Sequence, residues 1–191
     1  MKAVDPLFFI AIIPPDEIAD AIRIYKEDMA LRFFSKAALK SPVHITLHMP
    51  FRYPEKKLDN LDQLLSDFSA DFSEFDIQLK NFGSFPPRVI FVNVLENNCL
   101  EALQKELLKQ MRKNLNIFNG DYKERAFHPH ITIAFRDLKP REFKIAWEEY
   151  KNQSLLFDFS ATKISLLKHN GNSWQVYKDF ELKKPTPQPS L

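Results

Sequence analysis

The stretch Val43 to Phe51, reading V-H-I-T-L-H-M-P-F, constrains this chain more than any other. Val43, Ile45, Leu47 and Met49 are apolar and alternate with His44, Thr46 and His48, the period of a strand with one buried face. Alternation sets an imidazole and a hydroxyl two residues apart on the open face. The pattern returns as F-H-P-H-I-T-I-A-F, where His130 and Thr132 share one face and Ile131, Ile133 and Phe135 take the other. With five His and four Thr in 191 residues, chance supplies only about 0.1 His-x-Thr, so the double occurrence is specific. Two copies in similarly patterned strands read as one site built twice.

The rest of the chain arranges itself around these strands. Leu7 to Ile13 is an apolar run of strand length closed by Pro14-Pro15, and Asp16 and Glu17 suit the first turn of a helix reaching roughly Phe33, with Ile18, Ala21, Ile22, Tyr25 and Met29 inward. Asp59-Asn60 can cap a second helix that turns Leu61, Leu64, Leu65 and Phe68 inward. Phe75 to Lys80 alternates as a strand, Gly83 to Pro87 reads as a loop, and Arg88 to Leu95 is the most β-prone run, expected to be central and covered on both faces. Asn97 or Asn98 starts a third helix, followed by a polar loop from Asn116 to Arg125. Pro140 opens a fourth helix with Phe143, Trp147 and Tyr150 inward. Two further strands and the Asn170-Gly171 turn signal lead into a last strand. The order β-α-β-α-β-β-α-β-α-β-β-β points to an α+β fold of two pseudo-symmetric lobes. Each is a mainly antiparallel sheet with packed helices, and the motif strands face a central cleft.

Composition narrows the function classes. A length of 191 residues allows one domain of two intimately packed lobes, expected over 1–182, with a Pro-rich tail, 183–191, expected to be disordered. A net charge of +2 with Lys and Glu interleaved argues against a broad nucleic-acid-coating surface but leaves room for a local anion pocket. The single cysteine, Cys99, excludes an intrachain disulfide framework and fits a reducing compartment. Leu7 to Ile13 is too short to span a membrane and lacks the flanks of a signal peptide. The expectation is a cytoplasmic protein without membrane or obligate protein partner, monomeric. With only three Gly, no phosphate-cradling glycine loop of a nucleotide fold is present.

Paired imidazoles suit the splitting of a phosphodiester. Near neutral pH one can accept a proton while the other, charged, donates one. In-line displacement needs attacking and leaving oxygens on opposite sides, which two strands facing each other across a cleft provide. Thr46 and Thr132 can donate hydrogen bonds to the non-bridging oxygens, where a carboxylate would repel them. No metal or other cofactor is needed for this chemistry. Four imidazoles, His44, His48, His128 and His130, fall on like faces and admit a metal reading, but no carboxylate or cysteine completes the spacing.

His44-Ile45-Thr46-Leu47 and His130-Ile131-Thr132-Ile133 resemble the paired H-x-T/S-hydrophobic motifs of the 2H phosphoesterase superfamily, closest to its bacterial RNA 2′-5′ ligase and cyclic nucleotide phosphodiesterase branch. Leu7 to Pro15, Gly83 to Arg88 and Arg125 to His130 agree as flanks, and the likeness spans roughly residues 7–180. The resemblance implies a bilobal fold around a basic cleft. It also implies metal-independent hydrolysis or formation of a phosphodiester, at a 2′,3′-cyclic phosphate or 2′-5′ linkage of RNA or a nucleotide. His44 and His130 would be acid and base, in an order the sequence leaves open, with Thr46 and Thr132 holding the phosphate. After the first motif this chain runs His48-Met49-Pro50-Phe51-Arg52-Tyr53 where those relatives turn through Leu-Gly. That departure motivates the alternative, a nucleotide- or RNA-binding module using the same cleft without turnover.

The remaining candidates are substrate contacts. His48 and His128 fall on the motif faces by alternation, as rim or orienting groups. Arg136 and Arg52 could reach a phosphate. Phe51, Phe85 and Phe127 are placed to stack on a base, although 18 Phe make core packing the competing reading for each. His169, before a turn, is expected to be solvated.

Overall fold

Strands that alternate in polarity need a cover on one face only, and amphipathic helices supply it here. The computed structural model describes residues 4–119 and 126–184. The described elements are β1 (Leu7–Ile12), α1 (Asp16–Arg32), β2 (Ile45–Arg52), α2 (Leu58–Asp71), β3 (Phe75–Phe85), β4 (Val89–Val94), α3 (Asn98–Leu115), β5 (His130–Ala134), α4 (Pro140–Tyr150), β6 (Leu156–Ala161), β7 (Lys163–His169) and β8 (Trp174–Glu181), with one-turn 3₁₀ segments at Ala37–Lys40 and Glu55–Lys57. This is the order read from the sequence. The strands form two antiparallel sheets, β2-β1-β7-β8 and β5-β4-β3-β6. Each motif strand is an edge, and the two edges meet with Cα atoms within 8 Å.

One apolar core joins the helices to the covered faces of both sheets. Phe8, Ile10 and Ile12 of β1, Ile90 and Val92 of β4, and Leu61, Leu103 and Phe143 from the helices belong to it. The opposite face of the first sheet carries a small separate cluster, Phe9, Ala11 and Leu167, with Ile13 and Trp174 against it. The helices are crossed between halves: α1 packs on β5 and α3 on β2. Local signals held at several ends. Asn97 Oδ1 accepts from Leu100 N to cap α3, Pro140 opens α4, and Asn170 Oδ1 closes the last hairpin by accepting from Asn172 N and Ser173 N.

Three expectations change. Gly83 to Phe85 continues β3 rather than forming a loop, paired with Val89 to Phe91. α2 begins at Leu58 without a side-chain cap, so Asp59 lies in its first turn. The packed chain runs one residue past 182: Lys183 N donates to Phe72 O, and Lys183 O accepts from Glu74 N. Most of the expected Pro-rich tail, residues 185–191, and Gly120 to Arg125 of the polar loop lie outside the described residues. Among the described residues no helix is long and apolar enough to cross a membrane.

Candidate active site

His44 stands immediately before β2 and His130 opens β5. Their rings are held in the same way. His44 Nδ1 lies 2.7 Å from Pro42 O, and His130 Nδ1 lies 2.7 Å from His128 O, each carbonyl two residues upstream. A carbonyl only accepts, so in both rings Nδ1 carries the hydrogen and donates it. Nε2 is thereby left, on the opposite edge of each ring, as the nitrogen available to a ligand. The rings are near enough for charge on His130 to oppose charge on His44.

The strands also share a defect. Ala11 pairs with Thr46 but Ile10 pairs with His48, so β2 carries an extra residue there, Leu47, and a second shift follows between His48 and Phe51. Phe91 pairs with Thr132 but Ile90 pairs with Ala134, so β5 carries one extra residue, Ile133. A bulge thus follows the threonine in both copies, at the same motif position. Bulges re-aim the side chains beyond them. Leu47 and Ile133 are both buried, and so are the residues after them, His48 and Ala134, while Thr46 and Thr132 stay half-exposed. Gln104 Nε2 of α3 reaches Leu47 O at 3.4 Å, a long bond to the bulged carbonyl.

Burial is the main cause of lowered proton affinity at both rings. His44 is held down to about 4, first by desolvation and then by the charge of Lys26, against the Pro42 bond that favours the charged ring. His130 is also below the ordinary histidine range, through desolvation first, with its bond to His128 O opposing and His128 adding like-charge repulsion. Lys26 is itself buried in α1, and its Nζ donates to Ala38 O, Ser41 O and Pro42 O, each at 3.1 Å. Asp137, just beyond β5, accepts from Ser35 Oγ and from the backbone N–H of Lys36 and Ala37. The loop before the first motif is therefore tied to the end of the second.

The substrate contacts read from the sequence divide. Phe85 is 41% exposed and lies edge-on to His130, with ring centroids 5.3 Å apart, and His128 is exposed beside it. His48 is a correction: the bulge turns it to the core, where it is 1% exposed, packs edge-on to Phe51 and bonds Met49 O through Nδ1. Its buried Nε2 has no partner among the described residues. That removes one imidazole from the four-histidine arrangement, and no group of three His, Cys, Asp or Glu among the described residues could hold a metal ion. Phe51 is 7% exposed against Phe8 and so offers no open face as a stacking platform, while Phe127 is half-buried against the main core. Arg52 donates to Asp5 O, and Arg136, exposed at a left-handed φ of 58°, lies over the Phe135 ring. His169 is half-buried and edge-on to Trp174 rather than freely solvated.

Several residues at the site were not singled out. Phe9 backs His44 with centroids 4.8 Å apart, and Trp174 lies edge-on to Phe9. Phe91 backs His130 at 4.8 Å. Gly83 faces Phe91 across the ladder, and a Cβ there would stand 2.5 Å from both Phe91 Cε2 and Asn93 Oδ1. A glycine inside a strand marks such a close approach, which was the available signal. The histidines sit at the seam of the two sheets; a hollow of about 600 Å³ between α2 and α3, lined by Leu64, Phe68, Glu106 and Gln110, holds neither.

Comparison with known proteins identifies the family and the fold. A family model described as the 2′-5′ RNA ligase superfamily matches residues 14–173. A protein of Geobacillus thermodenitrificans named as a phosphoesterase is 32% identical over 174 residues, covering 90% of this chain and 93% of that one. An RNA 2′,3′-cyclic phosphodiesterase of Archaeoglobus fulgidus is 25% identical over 182 residues, covering 91% and 97%. Among solved structures, E. coli LigT complexed with 3′-AMP shares the fold with a TM-score of 0.69 at 22% identity, covering 94% of this chain and 99% of LigT.

Proposed function

The chain belongs to the 2′-5′ RNA ligase superfamily of 2H phosphoesterases, and from that premise we propose that it hydrolyses a 2′,3′-cyclic phosphate or a 2′-5′ phosphodiester at an RNA end or on a nucleotide. The observation that carries this reading is the repeated tether: two imidazoles on adjoining sheet edges, each with Nδ1–H spent on the carbonyl two residues upstream. One Nε2 takes a proton from water as the water oxygen bonds to phosphorus. The bond from phosphorus to a ribose oxygen breaks, and the second Nε2 gives that oxygen its proton. Thr46 and Thr132 donate to the non-bridging oxygens, whose charge rises in the transition state. Phe85 offers an exposed ring for a base. The Archaeoglobus relative, by its name, acts on RNA 2′,3′-cyclic phosphate, and LigT has been solved with 3′-AMP and with NADP+, which supports a nucleotide-sized substrate.

The test is a panel of 2′,3′-cyclic nucleotides, cyclic-phosphate-ended RNA and 2′-5′ dinucleotides with EDTA present. Multiple-turnover release of a monoester is expected, and its regiochemistry identifies the leaving oxygen. Saturable binding with no product on any member of the panel would reject the enzyme in favour of a binding module.

A further inference from the structure

The buried stripe of α1 reads Ile18, Ile22, Lys26, Met29. An ammonium stands where helical spacing calls for an apolar side chain, only 2% exposed. A buried charge is costly unless its hydrogen bonds are met. Here three donors meet three acceptors, the carbonyls of Ala38, Ser41 and Pro42. The third of these is also the carbonyl that accepts from His44 Nδ1. One oxygen, with two lone pairs, thus joins the ammonium to the imidazole.

We propose that Lys26 is a positioning residue for His44, fixing the Pro42 carbonyl and through it the tautomer and direction of the ring. The inference rests on the reading of His44 as half of the reacting pair. Without Lys26 the segment 38–42 loses the centre on which its carbonyls converge, and His44 Nδ1 loses a fixed acceptor. The two ring nitrogens then become interchangeable, and Nε2 is no longer the one presented to phosphorus. The charged groups acting on the ring are Lys26 from α1 and His130 from β5, both opposing its protonation. Asp137, from beyond β5, anchors the other end of the loop through Ser35, Lys36 and Ala37. Burial lowers Lys26 to about 8, while three carbonyl dipoles favour its charged form, so the cation persists at neutral pH.

Lys26→Met keeps length and apolar volume but removes the charge and all three donors. Ring ¹⁵N signals of the full chain, followed against pH, read the consequence directly. In the wild type His44 is expected as the Nδ1–H tautomer, uncharged at pH 6. In Lys26→Met its tautomers mix and its proton affinity moves up toward the ordinary histidine range, with His130 little changed. In turnover, kcat falls about tenfold or more with KM within about threefold, and the limb of the pH profile belonging to His44 moves to higher pH. Lys26→Arg, which keeps a charged donor, is expected to restore the tautomer and part of kcat. An Nε2–H tautomer at His44 in the wild type, or His44 signals in Lys26→Met that overlay those of the wild type, would overturn the proposal; the wild-type and Lys26→Arg spectra decide it if Lys26→Met does not fold. Expected ring signals without turnover on any cyclic phosphate would leave the Lys26–His44 link standing and remove the phosphoesterase reading instead.

Discussion

At His44 the ring lies on Phe9 and is tied through the Pro42 carbonyl to a buried lysine. At His130 the ring lies against Phe91 and edge-on to Phe85, and is tied to the carbonyl of a histidine whose own side chain is exposed. The backbones agree down to the bulge after each threonine. What is repeated is therefore the geometry of the two imidazoles, and what differs is their support. Acid and base catalysis needs that combination: two imidazoles aimed alike, in surroundings unlike enough that one is neutral while the other carries the proton. The helices contribute to the difference, since Lys26 of α1 reaches the loop before β2 and Gln104 of α3 reaches the β2 bulge, both on the His44 side.

The largest effect is expected where the halves are alike. His44→Ala and His130→Ala should each lower kcat by about a hundredfold to ten-thousandfold, and the double variant little more than the worse single one, because the rings act as a unit. Full activity in either single variant would break the equivalence. Both rings are held below the ordinary value, so one charged and one neutral ring coexist best on the acid side of neutrality. kcat/KM for the free enzyme is accordingly expected to peak below about pH 6.5 and to decline as pH rises.

Next come the hydroxyls. Thr46→Val and Thr132→Val preserve shape and remove one donor each, and a loss of about a hundredfold in kcat is expected from either; unequal losses would show that one threonine carries the phosphate alone. Gly83→Ala sharpens the contrast in support, because its Cβ would strike Phe91 and Asn93, on the His130 side only. Overpacking of this kind costs about 1–3 kcal/mol, read as a lower Tm, and should disturb the ring signals of His130 but not those of His44.

The smallest effect separates His48 from its neighbours. His48→Leu should leave turnover within about twofold. It removes an Nε2 without a partner among the described residues but also the bond to Met49 O, so stability at pH 7 should change by less than about 1 kcal/mol. Its pH dependence is the clearer signal. Burial lowers the proton affinity of His48 in the fold, so below about pH 6.5 the unfolded chain binds more protons and the parent loses stability as pH falls. The leucine variant cannot take that proton, and its stability should decline less between pH 7 and pH 5.

The element order, the duplicated strands and the inward faces of the helices were legible because each rests on a local period or a local cap. Alternation cannot reveal that Leu47 is extra, since a bulge keeps the letters and changes the partner, and alternation alone therefore puts His48 on the wrong face. Lys26 was visible as a position, four residues after Ile22 and three before Met29, but its three acceptors come from a loop whose path the sequence does not show. Phe9, Phe91 and Trp174 act through neighbouring strands, and with 18 Phe in the chain no single ring advertised its place.

A structure of the protein with a nucleoside 3′-monophosphate shows whether the two imidazoles hold one phosphate between them. A single phosphate is expected, its oxygens within hydrogen-bond reach of Nε2 of both His44 and His130, and of the hydroxyls of Thr46 and Thr132. A phosphate touching only one of the two histidines, or bound away from both, would contradict it.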